Sequence, residues 1–540
     1  MKADNQKILD RCQQFKPSGF QTYSCIKTKN LDLIRKTSRQ SEFTKHRIGM
    51  SKENYDSNNL NKDITNTLHL IHPELLGNSL SVEKQISILS DYLINSDPFT
   101  NDYINVMKRL SNLSLEITSC KEKKIEINPQ LIDLYLSMLK GIKMESCETE
   151  ILFSLSNFSF INQEIFNKLV QSNIYLDILS MLEDKNKGGI DFKENLLFLL
   201  SNLLNEASIR HAIISKQILE VANNLLKNFI EGPISQEQKA KLINTYLFFV
   251  TNICNHDDIS ENYYLSYESR FETLEFLFKF IQYPDEVIKK DSYIALDYVI
   301  SICHDFEYTV VLETFNPQLM FDSIIEDDNL ASYKLSVLSR IFPISEIEQE
   351  FGLKEIDKVI LSLYKLIMKG DPPLVEAVFK ALSVLQQFNE TYTSYSFKLY
   401  PKLFDIALNL ISYHPKELQS LEAAHFLSEA IKNLSAKNFE SLLQKKLIDI
   451  LGKSLNIDFS PTFIEYILTC IYNCYITGCK EKFRDSENVK EEKFLQQFEC
   501  YKLEEFLKML IKNTDHPCSE LAASMLDIFE DNPYEDDDDD

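Results

Sequence analysis

The sequence predicts an all-α protein built as a solenoid of stacked helical repeats, and three observations carry that expectation. Amphipathic segments with apolar residues at helical spacing follow one another from about Ser79 almost to the end. Alternating strand patterns bounded by tight-turn dipeptides are hard to find, and Gly is scarce, 11 residues in 540. Segments of one pattern also recur 45 and 50 residues apart, near the period of HEAT or armadillo units.

Taken in order, residues 1–70 are polar and basic, and they end in SKENYDSNNLNKDITN, the composition of a solvated linker. Between Lys27 and Arg47 seven Lys or Arg stand against two acids, whereas the whole chain carries −24. So acidic a body repels phosphates, which argues against direct nucleic-acid binding and favours a basic peptide as partner. The solenoid is expected over residues 71–528, through segments such as VEKQISILSDYLI, YINVMKRLSNLSLEI, PQLIDLYLSMLKGI and ETEILFSLSNFSF. Longer polar loops interrupt it at 183–192 and 231–240, and residues 529–540 form an acidic tail expected to be disordered. The first residues contain no signal-peptide core, and no run approaches the roughly 18–20 apolar residues of a membrane span. A soluble intracellular protein is expected, with its 11 Cys, none in CxxC pairs, mostly as inert core thiols.

The recurring segments are ILFSLSNFSF (151–160), NLLFLLSNLL (195–204) and YLFFVTNICN (246–255). Each contains Phe-x-x-x-Asn: Phe153 with Asn157, Phe198 with Asn202, and Phe248 with Asn252. Residues i and i+4 share a helix face, so stacked repeats align these pairs into a ladder. An extended peptide has unpartnered backbone groups, and a row of carboxamides can hold it without reading its side chains. The rings would form slots for Lys or Arg stems, with Glu206 and Asp291 on the wall favouring positive charge. The alternative is that Phe is core and Asn bonds the backbone of the adjacent repeat.

On these residues the chain resembles the importin-α family, of which it reads as a divergent member. That family repeats Trp-x-x-x-Asn along its inner helices, with an acid four residues on in one repeat. FLLSNLLNE (198–206) is similar in register, with Phe for Trp, and the whole chain lacks Trp. LIRKTSRQSEFTKHRIG (33–49) looks like the family's importin-β-binding segment: Arg35, Lys36, Arg39, Glu42, Lys45 and Arg47 fall on matching positions, and His46 replaces a basic residue. Read as physics alone, a basic amphipathic arm also suits RNA or a membrane surface. PDEVIKKDSYIALDYVIS (284–301) is similar to a further repeat, retaining Asp291 and Tyr298 with Ile294 at the Trp position.

The resemblance implies a right-handed armadillo superhelix with a flexible basic arm. It implies an adaptor, shuttling between cytoplasm and nucleus, that carries cargo with basic nuclear-localisation signals to importin-β. An importin-α-type export receptor would bind the C-terminal repeats, and the arm could fold back to mask the groove. The peptide site is expected at Phe153, Asn157, Phe198, Asn202, Glu206, Phe248, Asn252, Asp291 and Tyr298, and a secondary groove at Glu376, Phe379 and Glu422. The later repeats depart from the pattern: Ser383 stands where Asn is expected after Phe379, and His425 and Glu429 replace Trp and Asn. Asn473 returns without an aromatic partner. A competing reading is an armadillo scaffold that has lost signal recognition and binds other protein segments. A third is a regulatory subunit built on HEAT repeats, which leaves the arm unexplained.

Cys470, Cys474 and Cys479, or Cys254 with His256, fit no usual zinc spacing. No phosphate-cradling, dinucleotide-binding, nucleophile-elbow or HExxH motif is present. No enzyme activity, metal or cofactor is expected.

Overall fold

The structure is a computed structural model that describes residues 62–530 except 73–74, 76–79, 99, 120–125, 142–144, 185–186, 215, 255–264, 303–329, 342–355, 389, 480–500 and 515. The basic arm residues Arg35, Lys36, Arg39, Lys45 and Arg47, together with His256 and residues 531–540, lie outside the described residues. Those described form 24 helices and no strand, so the all-helical expectation holds. No described helix is long and apolar enough to cross a membrane. Two compact units divide the described residues, 62–302 and 330–530, where the sequence reading treats 71–528 as one solenoid.

In the first unit the helices are α1 (Lys62–Ile71), α2 (Val82–Asn95), α3 (Asn101–Ser119), α4 (Pro129–Gly141), α5 (Glu145–Ile161), α6 (Gln163–Gln171) and α7 (Ile174–Glu183). They continue with α8 (Ile190–Leu203), α9 (Ala207–Ile214), α10 (Ile218–Ile230), α11 (Gln236–Cys254), α12 (Tyr267–Phe280) and α13 (Glu286–Ser301). The second unit contains α14 (Ala331–Ile341), α15 (Ile356–Ile367), α16 (Pro372–Phe388), α17 (Thr391–Leu399), α18 (Lys402–Tyr413) and α19 (Leu418–Asn433). It ends with α20 (Ala436–Gln444), α21 (Leu447–Lys453), α22 (Pro461–Cys479), α23 (Leu503–Lys512) and α24 (Ser519–Glu530).

Local signals set the boundaries. Asn162 and Asp285 cap α6 and α13, their side-chain oxygens accepting two backbone N–H groups each. Pro129, Pro372 and Pro461 occupy first helical positions, where a missing N–H costs nothing. Among the described residues, four non-Gly residues adopt the left-handed region: Asn173 (φ 55°), Gln217 (54°), Lys446 (64°) and Lys502 (55°). Each immediately precedes a helix, at the starts of α7, α10, α21 and α23. In three of them the residue is the hinge between a short first helix (α6, α9 or α20) and the second helix of a triplet.

Those triplets end in long helices, as in α9, α10 and α11 with 8, 13 and 19 residues. The long helices pack on one another in sequence, α3, α5, α8, α11 and α13 in the first unit and α14, α16, α19 and α22 in the second. Sandwiched in this way, α8 is buried on every face, from Phe192 through Leu203 without interruption. That explains why its sequence is too uniformly apolar to show an amphipathic stripe. Serines inside these helices are made harmless locally: Ser156, Ser201, Ser292, Ser339 and Ser383 each return their hydroxyl to the carbonyl four residues earlier, at 2.6–2.8 Å.

Candidate peptide-binding ladder

All three Phe-x-x-x-Asn pairs lie on the long helices, on α5, α8 and α11, so the stack brings them onto successive layers. Each carboxamide reaches back to the layer before it. Asn202 donates Nδ2–H to the Ser156 carbonyl at 2.9 Å, and Asn252 donates to the Ser201 carbonyl at 3.0 Å. Asn157 makes the same link through a relay, donating to Ser114 Oγ at 2.9 Å while Ser114 donates to the Ser111 carbonyl at 2.6 Å. In all three the carbonyl belongs to the residue just before the equivalent Asn position of the previous layer, which a repeat unit predicts and a chance polar contact does not.

The side chains are accordingly more enclosed than an open ladder requires: Asn157, Asn202 and Asn252 are 4%, 3% and 2% exposed. Their oxygens, however, accept nothing among the described residues. One N–H is fixed on the preceding repeat, and the oxygen has no hydrogen-bond partner among the described residues. The amide is therefore the inter-repeat clamp that the sequence raises as the alternative, with its oxygen held in one orientation by that bond.

The rings do not form the slots expected between them. Phe198 and Phe248 are in direct contact, centroids 5.5 Å apart and tilted by 31°. An aliphatic stem between two rings needs van der Waals contact of about 3.5–4.0 Å with each, a separation of about 7–8 Å. Phe153 clusters with Leu115 of α3. With no Trp to span the layer spacing, the smaller rings close on their neighbours.

Glu206 does not continue the Asn202 face. Helix α8 ends at Leu203, and Glu206 lies in the turn before α9, where its carboxylate accepts from Ser208 at 3.2 Å. Asp291 and Tyr298 share a face of α13 and are 5% and 6% exposed. A polar tie that sequence reasoning missed joins the same layers: Thr245 donates to Glu194 Oε1 at 2.5 Å, and Lys241 Nζ sits 3.1 Å from Glu194 Oε2. Nearby Glu150 has its carboxyl pushed above the usual range, chiefly by desolvation, against a hydrogen bond from Ser111 and the charges of Lys108 and Lys241. The dipeptide Ser-Asn, repeated at 111–112, 156–157 and 201–202, is the signal that could have disclosed the clamp.

In the second unit the equivalent surface has changed chemistry. Phe379 is fully buried against Phe426 (5.3 Å), so it belongs to the core and not to a secondary groove. Ser383 returns its hydroxyl to the Phe379 carbonyl. Glu376 is half-buried, and Glu422 is buried with Oε2 3.6 Å from His425 Nδ1. The His425 ring stacks on Tyr466 at 4.5 Å, and Gln387 Nε2 donates to Glu429 at 3.2 Å. Asn473 keeps the clamp, donating to the Ser428 carbonyl at 2.7 Å, and Asn433 makes a longer inter-layer bond to the Gln386 carbonyl at 3.4 Å. The described Cys thiols are buried; desolvation pushes Cys254 and Cys518 up to about 12 and raises Cys470 and Cys474 as well. Thiols held protonated are poor metal ligands and poor nucleophiles.

The fold and the rungs define a class, an all-helical protein whose long helices stack through buried carboxamides. No family model matches the chain, and no curated protein matches it. Among solved structures it is similar to the crystal structure of an engineered protein, with 14% identity, a TM-score of 0.50, and coverage of 83% of this chain and 98% of that one. At that identity the likeness shows the helical fold alone.

Proposed function

We propose that the chain is an armadillo-type adaptor of the importin-α kind, holding an extended basic segment of a partner on the ladder of α5, α8 and α11 and binding importin-β through residues 33–49. The observation that carries this reading is the fixed orientation of Asn157, Asn202 and Asn252, each with an N–H on the previous layer and an oxygen that accepts nothing among the described residues. Acceptors already oriented before a strand arrives lose little entropy on binding it. The net charge of −24 and the basic stretch from Lys27 to Arg47 support the same partner chemistry. Cytoplasm and nucleus are the compartments such a function requires, and an export receptor would take the C-terminal repeats.

A second reading has its own support. The closed Phe198–Phe248 pair and the altered polar surface around His425 favour an armadillo scaffold that binds a protein segment other than a basic signal. Pull-downs of full-length protein, wild type and with Arg35, Lys36 and Arg39 changed to Glu, against importin-β and against a lysine-rich peptide, separate the two. The adaptor reading expects importin-β capture that the charge reversal abolishes, and peptide capture by both proteins. Capture of neither ligand by the wild type would leave the scaffold reading.

A further inference from the structure

The contact between Phe198 and Phe248 bears on which segment the ladder accepts. Packed helices lie about 8–10 Å apart, so Asn202 and Asn252 on neighbouring long helices are spaced for two to three residues of extended chain, which advances about 3.3 Å per residue. A strand whose backbone N–H groups meet both oxygens therefore carries at least one intervening side chain over the ring pair. At a centroid separation of 5.5 Å the rings admit nothing between them. Both are almost fully covered, with exposures of 8% and 4%, so a side chain arriving there meets a closed floor. A long stem would have to bend away from that floor or lift the backbone off the two oxygens.

We infer that the ladder selects extended segments in which Gly, Ala or Ser lies over the Phe198–Phe248 pair, with the positive residues on either side of it. The inference rests on the adaptor reading, and the flanking charge is argued from the chain's net −24. Phe198 and Phe248 are then specificity-determining residues that act by excluding a stem, not by sandwiching one.

The test uses full-length protein and fluorescent peptides of the form Lys-Lys-Xaa-Lys-Lys, with Xaa as Gly, Ala, Ser, Leu or Lys, titrated by anisotropy at fixed salt. The short residues are expected to bind several-fold more tightly than Lys at Xaa, although Lys adds a charge. Phe248→Ala, which opens the floor, should erase or reverse that preference; Phe198→Leu serves the same purpose if the first variant does not fold. Tighter binding of the Lys peptide by wild-type protein, or no difference across the series, would overturn the inference and leave the adaptor reading standing. Absence of binding by every peptide would remove both.

Discussion

Replacing Asn202 and Asn252 together by Ala separates the two jobs assigned to the ladder. For stability, each change removes one inter-repeat hydrogen bond, to the Ser156 and Ser201 carbonyls. The Ser156 carbonyl also accepts from Ser159 Oγ at 2.9 Å, so it is not orphaned, and the loss falls near about 0.5–1.5 kcal/mol per bond and not near the cost of an unsatisfied group. The double variant should therefore unfold at a lower urea midpoint, by about 1–3 kcal/mol in all, while remaining helical. For binding, two lost acceptors of similar worth amount to about 1–3 kcal/mol, which weakens a basic peptide by roughly 5-fold to 150-fold. Urea denaturation followed by circular dichroism reads the first effect, and anisotropy titration of a lysine-rich peptide reads the second. A double variant that loses stability but binds as tightly as wild type would show that the amides are clamps alone. One that keeps its full stability would refute the inter-repeat bonds themselves.

Other expectations follow from groups other than the ladder's Phe and Asn side chains. Asn223 is fully buried, donates to the Ser269 carbonyl at 2.9 Å and accepts from Tyr246 at 2.6 Å, so Asn223→Ala should cost about 2–4 kcal/mol in urea denaturation yet leave peptide affinity unchanged. The carboxyl of Glu150 is raised by burial, so its charged form opposes folding: stability falls as pH rises from the unfolded-state value through the higher folded one. Glu150→Gln should then raise the denaturation midpoint at pH 7 and lose that advantage below about pH 4, where the free carboxyl is protonated. On α17, Thr393 and Ser396 are fully buried and their hydroxyl oxygens have no partner. Thr393→Val with Ser396→Ala removes that penalty and should stabilise the chain by up to about 1–3 kcal/mol per site; a lower midpoint would refute the unpaired state.

Much of the architecture was legible because helical periodicity survives in every element with a solvent face. It faded in α8, where both flanks are covered and the apolar run is continuous, and there the repeat in Phe198 and Asn202 gave a better guide than amphipathicity. The long helices were readable, but the left-handed hinges were not, since Gln217, Lys446 and Lys502 carry no turn signature and are held by the packing of the helices they join. At the candidate site the sequence placed Asn157, Asn202 and Asn252 on corresponding helices. It could not show that their N–H groups face the previous layer, which depends on layer spacing, or that Phe198 and Phe248 close on each other. Glu206 was misplaced for a local reason: the face was extended by one turn past the end of α8. Phe379 was misassigned because a ring one layer away, Phe426, decides its burial.

The most direct measurement is a co-crystal structure of the full-length protein with a lysine-rich peptide. The account predicts an extended strand with its backbone N–H groups within hydrogen-bond distance of the Asn202 and Asn252 oxygens, while both carboxamides keep their bonds to the Ser156 and Ser201 carbonyls. A peptide seated elsewhere on the surface, with those two oxygens accepting nothing from it, would contradict it.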